Sequence, residues 1–326
     1  MTRRVSARLA AACLALTLSA ACSHASVLPA PAGSGAQSTR PPRPPVLHAA
    51  LAPFRLPTPI AREAVAGSGP VVTVAGGLLP GNGSTAAAYE LDLRSGKAKT
   101  LPDMQVPVHD TAGARLGSRT IVIGGGNAAE QDVVQAWDGD AWSTIGRIPQ
   151  ARSDLTVVRV GKLVLVLGGY SGRTVAEPDI LGSRDGRVWK SIGRLPVPVR
   201  YAASAVVGGR ILLFGGERAG QMQTAIQQVD PSTGQASEIG KLNGPLGHAS
   251  AIVLDDRVLI AGGRGNDTAA VDTMWWFNPR TRKLTPAGHL PMALADSAVA
   301  TYRGHGYLLG GESPHNVDAV VSLSLD

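Results

Sequence analysis

Leu163-Val164-Leu165-Val166-Leu167-Gly168-Gly169 is the stretch that decides the fold. Five branched aliphatic residues in a row, with no polar alternation, suit a strand covered on both faces. The glycine pair that ends the run marks a tight turn or a close backbone approach. The same pattern occurs five more times, as Val71-Val72-Thr73-Val74-Ala75-Gly76-Gly77, Thr120-Ile121-Val122-Ile123-Gly124-Gly125, Ile211-Leu212-Leu213-Phe214-Gly215-Gly216, Val258-Leu259-Ile260-Ala261-Gly262-Gly263 and Gly306-Tyr307-Leu308-Leu309-Gly310-Gly311. The first glycines stand 48, 44, 47, 47 and 48 residues apart. A near-constant period of this size identifies a repeat architecture.

Each unit follows one plan. An apolar stretch such as residues 201–207 precedes a tight turn, Gly208-Gly209-Arg210, and then the run into the glycine pair. A polar loop, a third stretch (224–229), the turn Asp230-Pro231-Ser232-Thr233-Gly234 and a fourth stretch complete it. Several units close on Ile-Gly or Leu-Pro, as at Ile145-Gly146, Ile192-Gly193, Ile239-Gly240 and Leu195-Pro196. Short runs punctuated by Gly, Pro, Asn and Asp predict antiparallel strands, and no stretch has sustained helical periodicity. With the aromatics that follow the glycine pairs (Tyr89, Trp137, Trp142, Trp189, Trp275, Trp276 and Phe277), these units resemble kelch repeats. The resemblance implies one four-stranded blade per repeat, and so an all-β, six-bladed β-propeller over residues 46–326. Only one strand, residues 317–325, follows the sixth glycine pair. Residues 46–55 are an apolar stretch with no blade of their own, and are expected to supply the missing outer strand and close the ring.

The formal net charge is +7, but Arg3, Arg4, Arg8, Arg40 and Arg43 carry five of those charges ahead of the repeats. The repeats hold no basic stripe, which argues against a nucleic-acid partner. Both cysteines, Cys13 and Cys22, also precede the repeats, so the propeller must be stable without disulfides. Arginines at 3, 4 and 8 followed by a small and apolar run over residues 9–21 predict a secretion signal, too short to span a bilayer. The run ends in Leu18-Ser19-Ala20-Ala21-Cys22, which resembles a bacterial lipoprotein box. That resemblance implies cleavage after Ala21, acylation of Cys22 and an exported, membrane-anchored protein; the alternative is ordinary signal cleavage beside an incidental cysteine. The Ala-, Pro-, Ser- and Gly-rich residues 22–45 read as a spacer.

In four antiparallel strands every second turn lies on one face, so the loop before the innermost strand and the loop after the glycine pair share a mouth of the channel. Fourteen residues before each first glycine stand Arg62, Asp110, Asp154, Tyr201, His248 and Asp296, with Arg152 and Arg200 beside two of them. Tyr170, Glu217, Arg264 and Glu312 follow glycine pairs on the same face. These twelve residues are expected to ring the mouth, either as a polar ligand pocket or as inter-blade ion pairs. Functional sites on repeats break the symmetry, which singles out Tyr201 and His248.

The copper chemistry of galactose oxidase, a kelch-type enzyme, needs a cysteine crosslinked to a tyrosine, and no cysteine lies in this propeller. The seven histidines form no metal signature, and no phosphate loop or dinucleotide fingerprint occurs, so no metal or cofactor is expected. Ser183-Arg184-Asp185-Gly186-Arg187-Val188-Trp189 resembles the Asp-box of sialidases, one residue short between Asp and Trp, and reads as a turn. The leading expectation is a monomeric, lipid-anchored module that recognises a protein or cell-envelope glycan through its loops. A purely structural envelope protein satisfies the same sequence. The enzymatic alternative comes from periplasmic kelch propellers of similar repeat count that act as sialic-acid mutarotases, with Glu217, Asp154 or His248 as acid–base groups.

Overall fold

The computed structural model describes residues 45–326 apart from Ser68. The expected signal segment, Cys22 and the spacer lie outside the described residues. Six four-stranded antiparallel sheets follow one another: residues 64–101, 112–147, 156–194, 203–241, 250–289, and 298–325 completed by Leu47–Leu51. The protein is a six-bladed β-propeller with no helix among the described residues. The strand Leu47–Leu51 pairs antiparallel with Val320–Leu325, from Leu47 opposite Leu325 to Leu51 opposite Val321. The ring is therefore closed by the N-terminal stretch, over fewer residues than the ten expected to contribute.

The glycine pairs hold neighbouring blades together. Both glycines of every pair have positive φ, from 57° to 116°. The second glycine donates its N–H to a carbonyl of the next blade's entry loop: Gly77 to Val108, Gly125 to Arg152, Gly169 to Val199, Gly216 to Leu246, Gly263 to Leu294 and Gly311 to Ile60, at 2.7–3.0 Å. The first glycine abuts the same carbonyl so closely that a Cβ at Gly215 would stand 1.9 Å from the Leu246 oxygen. Only glycine combines this conformation with this approach.

The aliphatic runs are buried on both faces, as with Val164, Leu165, Val166 and Leu167. Each core cluster joins two adjacent blades; Val72, Val74, Tyr89 and Leu91 of the first blade pack on Tyr307, Leu309 and Val320 of the sixth. The Ile-Gly pairs have a definite place. Gly146, Gly193 and Gly240 face the third strand where its register shifts by a β-bulge, which bends the outer strand.

Candidate functional site

Arg62, Asp110, Asp154, Tyr201, His248 and Asp296 all adopt the left-handed conformation, with φ between 49° and 60°. For residues other than glycine this costs about 1 kcal/mol or more each. The arrangement is held by a backbone circuit around the mouth, open between Arg62 and Asp110. Asp154 donates its N–H to the Asp110 carbonyl, Tyr201 to Asp154, His248 to Tyr201, Asp296 to His248 and Arg62 to Asp296, at 2.9–3.1 Å. The residue before each circuit member bridges the residue after a glycine pair, as Arg200 does with Glu217 and Ala295 with Glu312. This pairing brings the two expected sets of side chains onto one face.

Arg62 reaches across the channel. Its Nη1 lies 3.3 Å from the Tyr201 hydroxyl of the fourth, opposite blade and 3.4 Å from Asp110 Oδ2, while its Nε lies 3.0 Å from Glu312. Arg200 donates to Asp154 (3.0 Å) and Glu217 (3.1 Å), and Arg264 to Asp296 (3.4 Å) and Glu312. His248 sits between Asp296 (2.7 Å) and Glu217 (3.5 Å), its ring stacked on Tyr201 with centroids 3.9 Å apart. The Arg200 guanidinium lies 5.1 Å from the Tyr170 ring centre.

Burial and pairing separate these groups by acidity. Glu217 is held down at about 2 by the His248 and Arg200 hydrogen bonds. Burial opposes charge on His248, but Asp296 and Glu217 outweigh it and raise the imidazole to about 9. Burial raises the Tyr201 hydroxyl far above its usual range. Asp110 differs from the rest: burial lifts it to about 7, Asp154 and Asp296 add to the rise, and Arg62 only partly offsets it. Its Oδ1 is buried and has no hydrogen-bond partner among the described residues. Glu217 and His248 are thus fixed as ions near neutrality, whereas Asp110 is poised to exchange a proton. Among the described residues no group of His, Cys, Asp or Glu is arranged to hold a metal ion.

Arg152 departs from expectation. It is 1% exposed, and its Nη1 donates to the carbonyls of Gly168 (3.0 Å) and Asp179 (3.3 Å) inside the blade packing, away from the mouth. The equivalent positions in the other blades are Ile60, Val108, Val199, Leu246 and Leu294, all turned inward. The Asp-box-like segment does form a capped turn, on the opposite face from the mouth. Asp185 Oδ1 accepts from the N–H groups of Arg187 (2.9 Å) and Val188 (3.0 Å), and the Trp189 indole donates to the Gly186 carbonyl (3.1 Å).

Sequence reasoning missed three groups at the mouth. His109 accompanies Asp110, with Ser84 Oγ 2.8 Å from its Nδ1. Glu63 is fully buried behind Arg62, both carboxyl oxygens lacking partners among the described residues, and burial lifts it to about 8. The signal for Glu63 was available: Thr111, Leu155, Ala202, Ala249 and Ser297 hold the same register position, and none carries a charge. Two cavities meet at Arg62. The inner one, about 140 Å³, is lined by the circuit residues and Glu63 and continues into a channel of about 500 Å³. The outer one, about 450 Å³, is lined by Arg62, Asn82, His109, Glu312, His315 and Asn316 among others.

A polar mouth on a six-bladed propeller defines the structural class. No protein-family model and no curated protein matches the chain. Among solved structures, one described as "Structure of YjhT" superposes with a TM-score of 0.71 at 16% identity, covering 83% of this chain and 99% of that chain. At this identity the likeness establishes the fold alone.

Proposed function

We propose that this chain is an exported, lipid-anchored propeller that binds a small anionic sugar at the mouth and catalyses proton transfer at its anomeric centre, as a mutarotase does. The observation that carries the reading is Asp110, a carboxyl with a free oxygen and an acidity near neutral beside the Arg62 guanidinium. Mutarotation needs a proton delivered to the ring oxygen as its bond to the anomeric carbon opens, and a proton taken from the anomeric hydroxyl. Asp110, on the wall of the inner cavity, suits the first step. Arg62, shared by both cavities, is the cation for which a sugar carboxylate would compete with Asp110, Asp296 and Glu312. Glu217, held ionised by two cations, serves as a fixed counter-charge instead of a proton carrier. The kelch-like repeat pattern, and the mutarotases it resembles, support the same reading.

Anomer exchange of a panel of acidic and neutral sugars, followed by NMR, tests this. The expected result is accelerated exchange of an acidic sugar, reduced about 100-fold by Asp110→Asn with binding retained. Binding without acceleration would return the protein to a recognition module. That second reading is favoured by the pairing of Arg200 and Arg264 with carboxylates, which makes the mouth a rigid surface. Neither binding nor acceleration across the panel would overturn the sugar reading.

A further inference from the structure

Beside the outer cavity, whose wall includes His109, stands a constellation that neither the ring nor the repeat requires. Ser84, in the loop after the first glycine pair, places its Oγ 2.8 Å from His109 Nδ1. On the other side of the same ring, His109 Nε2 lies 3.4 Å from Asp110 Oδ2. A hydroxyl, an imidazole and a carboxyl therefore stand in series. The loop geometry holds them: Ser84 bridges Leu78 of the cavity wall, and Leu78 exchanges backbone hydrogen bonds with Ala61 just ahead of Arg62.

The repeat has been broken to make room for this. After the glycine pair, four of the other five blades place Tyr170, Glu217, Arg264 and Glu312. The second blade has Gly126, where a Cβ would stand 3.3 Å from His109 Nε2. The preceding-residue position, Ala61, Ser153, Gly247 or Ala295 in four blades, is the imidazole here. Burial and the nearby Arg62 charge both lower the His109 pKa, which favours the neutral ring.

We propose that Ser84, His109 and Asp110 form a nucleophilic relay that hydrolyses short-chain esters of polar, hydroxylated alcohols. Ser84 Oγ attacks the ester carbonyl carbon while its proton passes to His109 Nδ1. The carbon–oxygen bond to the alcohol then breaks, and the alcohol leaves with that proton. Water attacks the acyl-serine, giving its proton through His109 to the departing Ser84 Oγ, and the carboxylic acid is released. Asp110 orients the imidazole from its Nε2 side. A cavity of about 450 Å³, walled by polar residues that include Arg62, Asn82, Glu312, His315 and Asn316, admits a sugar-sized alcohol with an acetyl-sized acyl group. Arg62 and Asn82 place donors on that wall for the developing oxyanion.

The test uses the whole protein with a fluorophosphonate, which reacts only with activated serines, and with p-nitrophenyl acetate. Peptide mapping by mass spectrometry is expected to place the label on Ser84. Ser84→Ala should abolish label and turnover, and His109→Gln should slow labelling about 100-fold. Label at Ser84 no higher than on the chain's other serines would overturn the proposal, and this reading needs no variant to fold. The result is independent of sugar binding: anomer exchange without label sinks the relay and leaves the mutarotase reading standing, and label without anomer exchange does the reverse.

Discussion

Replacing Glu63 by glutamine removes an ionisable group while keeping its shape, and the consequence is a change in how stability responds to pH. The carboxyl is fully buried, its oxygens lack partners among the described residues, and burial raises its pKa from 4.5 to about 8. At about 1.4 kcal/mol per pH unit, ionising Glu63 in the native chain costs up to about 5 kcal/mol more than in the unfolded chain. The sign follows from which state releases the proton first. Below pH 4.5 both states hold it and Glu63 contributes no pH dependence. Between 4.5 and about 8 only the unfolded state has released it, so stability falls as pH rises; above about 8 the loss is complete. His248, raised to about 9, adds a separate loss from 6.5 upward, but it is common to both proteins and cancels in their difference. Urea denaturation followed by tryptophan fluorescence from pH 4 to 9 is the assay. Glu63→Gln should gain on the parent progressively, by up to about 5 kcal/mol at the alkaline end. Parallel stability curves would mean that Glu63 is ionised and solvated in the native protein, and the reasoning would fail.

Two further expectations concern the ring. Gly208 and Gly215 share nearly the same φ, 56° and 59°, but an added Cβ meets nothing within 4 Å at Gly208 and the Leu246 oxygen at 1.9 Å at Gly215. Gly208→Ala should cost about 1 kcal/mol from conformation alone, and Gly215→Ala about 3 kcal/mol more by forcing blades apart; equal losses in chemical denaturation would refute the inter-blade role. A chain beginning at Leu56 loses the five-residue pairing with Val320–Leu325 and should melt about 5–10 °C below one beginning at Val46. Equal melting temperatures in a thermal scan would show that the closing strand is dispensable.

The architecture was legible because a repeat states its plan six times. The spacing of the glycine pairs located the blades, and the unmatched stretch at residues 46–55 located the closing strand. The offset of fourteen residues also found the circuit, since Arg62 through Asp296 all turn to the mouth. What the spacing could not give was direction. Arg152 stands two positions before Asp154 and faces inward, whereas Arg200 stands one before Tyr201 and faces the mouth, as alternation along an extended chain requires. Isoleucine, valine and leucine at the positions matching Arg152 were the readable warning. Ser84 and His109 escaped notice because they are 25 residues apart and meet only through a loop whose path the repeat does not specify.

Ring closure also fixes an order of events. His48 Nε2 lies 2.6 Å from Asp326 Oδ1, 278 residues along the chain. The strand Leu47–Leu51 emerges early, whether as the chain is made or as it is exported, and has no partner until Val320–Leu325 follows. Through that interval the growing molecule is an open arc. The face of the first blade that carries Tyr89 and Leu91 waits uncovered, because Tyr307 and Leu309 do not yet exist. A partial chain is therefore not a smaller propeller but a sheet stack with an unmatched edge and an apolar end, prone to self-association. Pairing over so long a separation makes closure a slow, late step. In the cell, the interval before it is when this protein most needs shielding from its own copies.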